Sequence, residues 1–243
     1  MILKKAKINH PKVKKIIYFH QKVEEVKQQI AEIFDIGSYN PRLDKKDLIV
    51  LDVGANIGMA TLYFKDMAKH IYAIEPNPDL FYCLKKNVGK YKNVSCHNLG
   101  IHGYNGEATL SSEHEDDIQQ MMSTQNNLNP IKARVQTIKT FMEEQGIDHI
   151  DVLKIDIEGS EFYVFSSNDF IDVAGKIDTI VGEAHNNGSA SPVYIPIMLR
   201  EVGFKTEWLP NSNYSTTLEI GVGGSIRQYT AYFNTLFIAK HEN

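Results

Sequence analysis

Leu48-Ile49-Val50-Leu51-Asp52-Val53-Gly54-Ala55-Asn56-Ile57-Gly58 decides the fold of this chain. Apolar, mostly β-branched residues run up to Asp52 and Val53, glycines at 54 and 58 bracket a turn, and residues 59–67 suit a helix. An apolar run of this length closed by a glycine turn reads as a buried strand of a parallel sheet. The glycines let the backbone turn sharply, approach a ligand and open a helix whose free N–H groups face the turn. That geometry builds a nucleotide or adenosyl pocket, and the surrounding residues must decide what fills it.

Outward from this stretch the chain alternates. Strands are expected over 48–53, 70–75 and 93–98, with helices over 59–67 and 78–90, the second opening on Pro78. Strand and helix at this pace imply βαβ crossovers and a doubly wound, mostly parallel sheet. The alternation then breaks: a short strand over 107–111, an acidic and amide-rich stretch over 112–129 that reads as a mobile connection or a lid, a strand over 134–138 and a helix over 141–145. It resumes with a strand at 151–156, a helix over 158–165 and a strand at 177–183. A polar loop from His185 to Pro192, a helix over 194–202 and a strand at 204–208 follow, and a last strand at 232–239 forms a closing antiparallel hairpin. Upstream, Val13, Ile16, Ile17, Val23, Val26, Ile30, Ile33 and Phe34 recur at helical spacing, so residues 11–34 read as one or two amphipathic helices ending near Gly37.

At 243 residues, 42% hydrophobic and 23% charged, the chain has the composition of a single globular α/β domain with a small appendage, not a disordered or fibrous protein. A net charge of −4 argues against a whole-surface nucleic-acid binder. The lysines at 4, 5, 7, 12, 14 and 15 read as a solvated face rather than an RNA-contacting arm. Cys83 and Cys96 lack metal-ligand spacing and read as reduced structural thiols. No apolar core of a signal peptide and no run of membrane-spanning length is present, so a cytoplasmic, soluble protein with no membrane partner is expected.

The turn departs from the dinucleotide fingerprint, because the middle glycine that admits a pyrophosphate is missing. Asp52 sets a carboxylate before the turn, unwelcome to a diphosphate and suited to an ammonium group. Glu75 closes the second strand, where a carboxylate can accept from both ribose hydroxyls. A ribose diol joined to a cationic amino acid, without phosphates, describes S-adenosylmethionine. No Walker sequence is present. Gly54, Gly58, Asp52 and Glu75 each have an ordinary structural explanation; together at this spacing they favour a pocket.

Asp52-Val53-Gly54-Ala55-Asn56-Ile57-Gly58, Ile74-Glu75-Pro76-Asn77-Pro78, Leu84 with Asn87, and the block from Ile150 through Asp156-Ile157-Glu158-Gly159-Ser160-Glu161 resemble the FkbM family of S-adenosylmethionine-dependent methyltransferases, over about residues 48–207. The resemblance implies a Rossmann-like class I methyltransferase fold: seven strands with an antiparallel last strand. It divides the chain into an N-terminal helical extension (1–46) and a methyltransferase domain (47–243). By position it sets Asp52, Gly54 and Asn56 at the methionine end of the cofactor, Glu75 at the ribose and Asn98 near the adenine, with Gly58 also among the cofactor-binding residues. It also implies O-methylation of a hydroxyl on a sugar or small natural-product-like acceptor.

Ligands in such sheets gather at the carboxyl ends of the strands, where Asp156, Glu158, Glu183 and His185 are expected. A hydroxyl nucleophile needs a base, and His185, with an ordinary pKa of about 6.5, is the leading one. Glu158 is the next candidate, Glu161 reads as a helix cap, and Asp156 could orient acceptor or cofactor. Asp156, Glu183 and His185 could also converge on a divalent metal. Two other functions stay open: a methyltransferase acting on RNA or protein, against which no Asn/Asp-Pro-Pro-Tyr/Phe motif follows the fourth strand, and a non-catalytic S-adenosylmethionine-binding protein. A nicotinamide dehydrogenase is a weaker fourth reading. Oligomeric state is not legible.

Overall fold

A computed structural model describes residues 3–111, 121–122, 130–185, 191–209, 215–222, 225–232 and 234–241. The expected stretch 112–129 lies outside the described residues except for 121–122, as do 186–190 of the expected loop after His185 and Gly223 and Gly224 near the C-terminus.

The chain opens differently from its periodicity. β1 (Lys4–His10) and β2 (Val13–Phe19) pair antiparallel as a hairpin around a two-residue turn, where a helix was expected from residue 11. Val13, Ile17 and Phe19 are buried while Ile16 is exposed, a pattern the helical count at 13, 16 and 17 mimics. Tertiary bonding decides for the strand: the Tyr18 N–H donates to Asn87 Oδ1 (2.8 Å), and Asn87 Nδ2 donates to the Tyr18 carbonyl (2.9 Å). The helical part begins only at α1 (Val23–Ile30) and continues as a π-helical turn, Ala31–Ile36, that stops at Gly37 (φ +79°) as expected.

The core alternates as predicted: β3 (Leu48–Val53), α2 (Met59–Phe64), β4 (Ala68–Ile74), α3 (Pro78–Val88) and β5 (Val94–His97). A side sheet follows, in the order β6 (Gly100–Ile101), β9 (Ile131–Gln136), β7 (Gly106–Ser111), β8 (Met121–Met122). Then come α4 (Ile138–Gln145), β10 (Ile150–Ile155), α5 (Glu161–Phe165), α6 (Asn168–Val173), β11 (Ile177–His185), α7 (Tyr194–Glu201) and β12 (Phe204–Trp208). A ribbon of β13 (Ser215–Val222) and β14 (Ser225–Tyr232) precedes β15 (Asn234–His241).

The main sheet has seven strands in the order β12-β15-β11-β10-β3-β4-β5, with β15 antiparallel to both neighbours. The last strand in sequence is thus an inner one, and β12 forms the edge. β3 and β10 lie side by side at the centre, buried on both faces, which is why their sequences are near-continuously apolar. Leu48 and Val50 join the apolar cluster under α2, α3 and the hairpin; Leu51 and Val53 join the one under α4 to α7. The two cysteines are free, and burial pushes both thiols up to about 11, as inert structural groups require.

Candidate functional site

The turn after β3 is held from three sides. The Gly54 and Ala55 N–H groups donate to the Ile74 carbonyl (3.1 and 2.9 Å), tying the turn to β4. Gly54 sits at φ +74°, and Asn56 at φ +50° turns its own N–H to Glu75 Oε2 (2.9 Å). Gly58 has φ +93°, and a Cβ there would come within 2.9 Å of Leu84 and 3.0 Å of Val88. Its role is close packing of α2 on α3, and it does not line the cleft as expected of a cofactor contact.

Gly54, Asn56 and Glu75 line one cleft with Asp156, Glu158 and His185. The sheet therefore brings these three residues predicted for the cofactor to those predicted for chemistry, Glu183 included. Glu75 is almost buried; it accepts from the N–H groups of Asn56 and Asn77 (2.8 Å), leaving lone pairs for a ligand's hydroxyls. Burial pushes its pKa up to about 7 against the pull of those two N–H groups.

Two expected contacts lie elsewhere. Asp52 is fully buried beneath the turn, where its carboxylate accepts from the Thr61 hydroxyl (2.6 Å) and faces Lys154 Nζ at 3.5 Å. It does not border the cleft, because β3 ends in Val53 and its alternation turns Asp52 inward. Asn98 bonds the carbonyls of Glu75 (2.9 Å) and Pro76 (3.0 Å), so it shapes the loop that carries Glu75 and is not among the cleft residues.

His185 closes β11 rather than opening a loop, and its Nδ1–H donates to Glu161 Oε1 at 3.0 Å. Its Nε2 faces Glu158 Oε2 at 3.4 Å and Asp156 Oδ1 at 3.7 Å. Burial alone would lower its pKa, yet Glu161, Glu158 and Asp156 outweigh burial and raise it well above the ordinary value. The expectation of a mostly neutral His185 base meets three carboxylates that favour the imidazolium over the neutral ring. Burial pushes Glu158 up to about 7 and Glu183 up to about 8, in both cases with Asp156 adding to the shift and His185 opposing it. Burial works to raise Asp156 too, but Lys154 and His185, with the Tyr39 hydroxyl, keep it below the usual carboxylate range. Glu158 precedes α5 instead of starting it, and its φ of +54° swings the side chain back toward His185.

The expected metal trio does not form, since Glu183 is outside the set of ligand atoms that lie within 4.8 Å of one another; Asp156, Glu161 and His185 make up that set. Both Glu161 oxygens already accept N–H groups, from Ile157 (2.8 Å), Gly159 (3.0 Å) and His185. The trio fits a hydrogen-bonded support for the imidazole and does not fit an open ligand set.

Sequence reading missed Lys154 and Tyr39. Lys154 is buried and donates to the carbonyls of Gly54 (2.6 Å) and Val53 (3.2 Å), between Asp52 and Asp156. A lysine inside a six-residue strand buried throughout was itself the signal, because a buried ammonium must be paired. Tyr39 comes from the N-terminal segment, which also brings Gln29, Glu32 and Ile33 to the cleft, and no local pattern announced it.

The methyltransferase FkbM domain model matches residues 52–206. The chain is 28% identical over 180 residues to the AMB antimetabolite synthetase AmbE of Pseudomonas aeruginosa, covering 58% of this chain and 8% of that protein. It is 27% identical over 164 residues to Methyltransferase 1 of Beauveria bassiana, covering 57% of this chain and 65% of that one. The chain thus spans less than two thirds of either relative. Among solved structures it is similar to a precorrin-6y C5,15-methyltransferase from Geobacter metallireducens GS-15, at 15% identity and a TM-score of 0.47, over 86% of this chain and 88% of that one. With the family model matched from Asp52 to Thr206, more than half of its length, the chain belongs to the FkbM methyltransferases.

Proposed function

We propose that this chain transfers the methyl group of S-adenosylmethionine to a hydroxyl on a sugar or small natural-product-like acceptor. The observation that carries this reading is the single cleft that joins Glu75 to the Glu158–His185 pair. At one end Glu75 offers a buried carboxylate to the ribose hydroxyls, and Gly54 and Asn56 offer backbone close to the rest of the nucleoside. At the other end stands a proton acceptor. The cofactor, when bound, supplies an already activated sulfonium methyl, so the protein's main tasks are alignment and removal of the hydroxyl proton.

Glu158 takes that proton. Its pKa of about 7 lies where a general base works best, whereas His185, whose proton affinity the neighbouring carboxylates raise, balances their charge. Glu158 would accept the hydroxyl proton as the acceptor oxygen takes the methyl group, and the bound cofactor would supply that methyl and leave as S-adenosylhomocysteine. Asp156 and Glu183 shape the field around this pair. The lysines that would serve an RNA acceptor are partly engaged inside the protein, Lys12 on the Phe34 carbonyl and Lys15 on the Asn87 carbonyl. No helix among the described residues is long and apolar enough to cross a membrane.

The test is methyl transfer from radiolabelled S-adenosylmethionine to a panel of glycosides and hydroxylated metabolites. Glu158→Gln is expected to lower turnover at least about 100-fold, the scale of general-base catalysis, with cofactor affinity within twofold. Transfer to a hydroxyl with unchanged turnover in Glu158→Gln would remove the base assignment, and absence of cofactor binding would remove the whole reading.

A further inference from the structure

Tyr39 lies outside the family-matched stretch, yet it lines the cleft. The π-helical turn ends at Gly37, the Asn40 N–H closes on the Gly37 carbonyl (2.9 Å), and the Ser38 hydroxyl bonds the Glu32 carbonyl (3.1 Å). This tight turn sends Tyr39 inward to 6% exposure. Its ring lies over Lys154 Nζ, 5.2 Å from the centroid, and its hydroxyl donates to Asp156 Oδ2 at 2.8 Å. A buried tyrosine hydroxyl requires such a partner, but the choice of partner has a consequence across the cleft.

Asp156 uses one oxygen for Tyr39 and turns the other to His185 Nε2 at 3.7 Å, too far for a hydrogen bond. The same Nε2 is closer to Glu158, at 3.4 Å. His185 is thus shared between two carboxylates, and the tyrosine restrains one of them. We propose that Tyr39 is a positioning residue of the transfer site: by clamping Asp156 it keeps the His185 imidazole turned to Glu158. The N-terminal segment is then a working wall of the cleft rather than an appendage. This role rests on the proposed base only for its catalytic meaning; the clamp itself concerns Asp156 and His185.

Without the hydroxyl, Asp156 is free to close on Nε2, and its less shared charge holds the imidazole proton more tightly. The groups facing His185 are Glu161 at Nδ1, Glu158 and Asp156 at Nε2, and Glu183 two residues earlier on the same strand, with Lys154 behind Asp156. The experiment is a pH titration of His185 by nuclear magnetic resonance in protein labelled at histidine, assigned with His185→Asn, for wild type, Tyr39→Phe, Asp156→Asn and the double variant. Tyr39→Phe retains the ring over Lys154, and its fold is checked by near-ultraviolet circular dichroism.

The expected result is an upward shift of the His185 midpoint by about half a unit or more in Tyr39→Phe. In the Asp156→Asn background the same change should produce no shift. An unmoved midpoint in Tyr39→Phe, or an equal shift with and without Asp156, overturns the proposal. If Tyr39→Phe misfolds, Tyr39→Leu takes its place in the same comparison: its upward shift must appear with Asp156 present and vanish in the Asp156→Asn background. These readouts need no acceptor, so a failed clamp is distinguishable from a failed base, which Glu158→Gln reports.

Discussion

A Cβ placed on Gly54 would lie 1.8 Å from the carbonyl oxygen of Asp156. The ends of β3 and β10 therefore touch backbone to backbone, and this contact fixes the distance between the glycine turn and the carboxylates of Asp156 and Glu158.

Gly54→Ala should consequently separate the two halves of the site. The positive φ alone costs an alanine about 1–2 kcal/mol, and the overlap adds to it. We expect a melting temperature lower by several degrees together with loss of cofactor binding by calorimetry. A variant that melts and binds like wild type would show that the turn has room to yield.

Glu75→Gln keeps the shape of the side chain and removes its charge. One amide face then meets an N–H group of Asn56 or Asn77 that it cannot accept from. Affinity for S-adenosylmethionine should fall about 10- to 100-fold, since each 1.4 kcal/mol is a factor of ten. An unchanged dissociation constant would withdraw Glu75 from the ribose.

Lys154→Met tests the buried charge system at the centre of the sheet. Asp52 is wholly buried, and its Oδ1 has no hydrogen bond among the described residues, so the ammonium 3.5 Å away is what compensates it. Removing one partner of a buried pair costs about 3–5 kcal/mol, and adding Asp52→Asn should recover part of the loss. Urea midpoints of the single and double variants provide the measurement.

Stability of the unliganded protein should fall as pH rises from about 5 to about 8. Glu75 and Glu158 titrate near 7 and Glu183 near 8 in the folded chain, against 4.5 as ordinary glutamates. Across that window the folded state binds more protons than the unfolded one, so unfolding becomes easier as pH increases. His185 acts in the same direction, its contribution being complete below about 6.5 and lost as pH climbs through its raised folded value. Asp156 and Asp151, both depressed, act oppositely: their stabilisation is present above 3.8 and fades as pH drops below it. Melting curves over this range check the slope, and Glu183→Gln should flatten it.

The FkbM resemblance and the fold both rested on local signals. The glycine turn, the carboxylate closing β4 and the apolar runs of β3 and β10 are short-range patterns, and each corresponds to an element at nearly its expected place. The hairpin of residues 4–19 was not legible for a related reason. Val13, Ile16 and Ile17 satisfy helical spacing and strand alternation comparably, and Asn87, 69 positions from Tyr18, resolves the choice by bonding both main-chain groups of that residue.

The amino-acid order alone determined the strand–turn–helix units, the order of the sheet's building blocks and the presence of Glu75, Asp156, Glu158 and His185 at strand ends, because backbone propensity and side-chain period act over a few residues. Only the tertiary structure decided which partners surround those groups. Register between β3 and β10 puts Lys154 beside Asp52, the packing of the N-terminal segment delivers Tyr39 to Asp156, and three carboxylates from one loop and helix start surround His185. Proton affinity depends on distance and burial, quantities that separation along the chain does not contain.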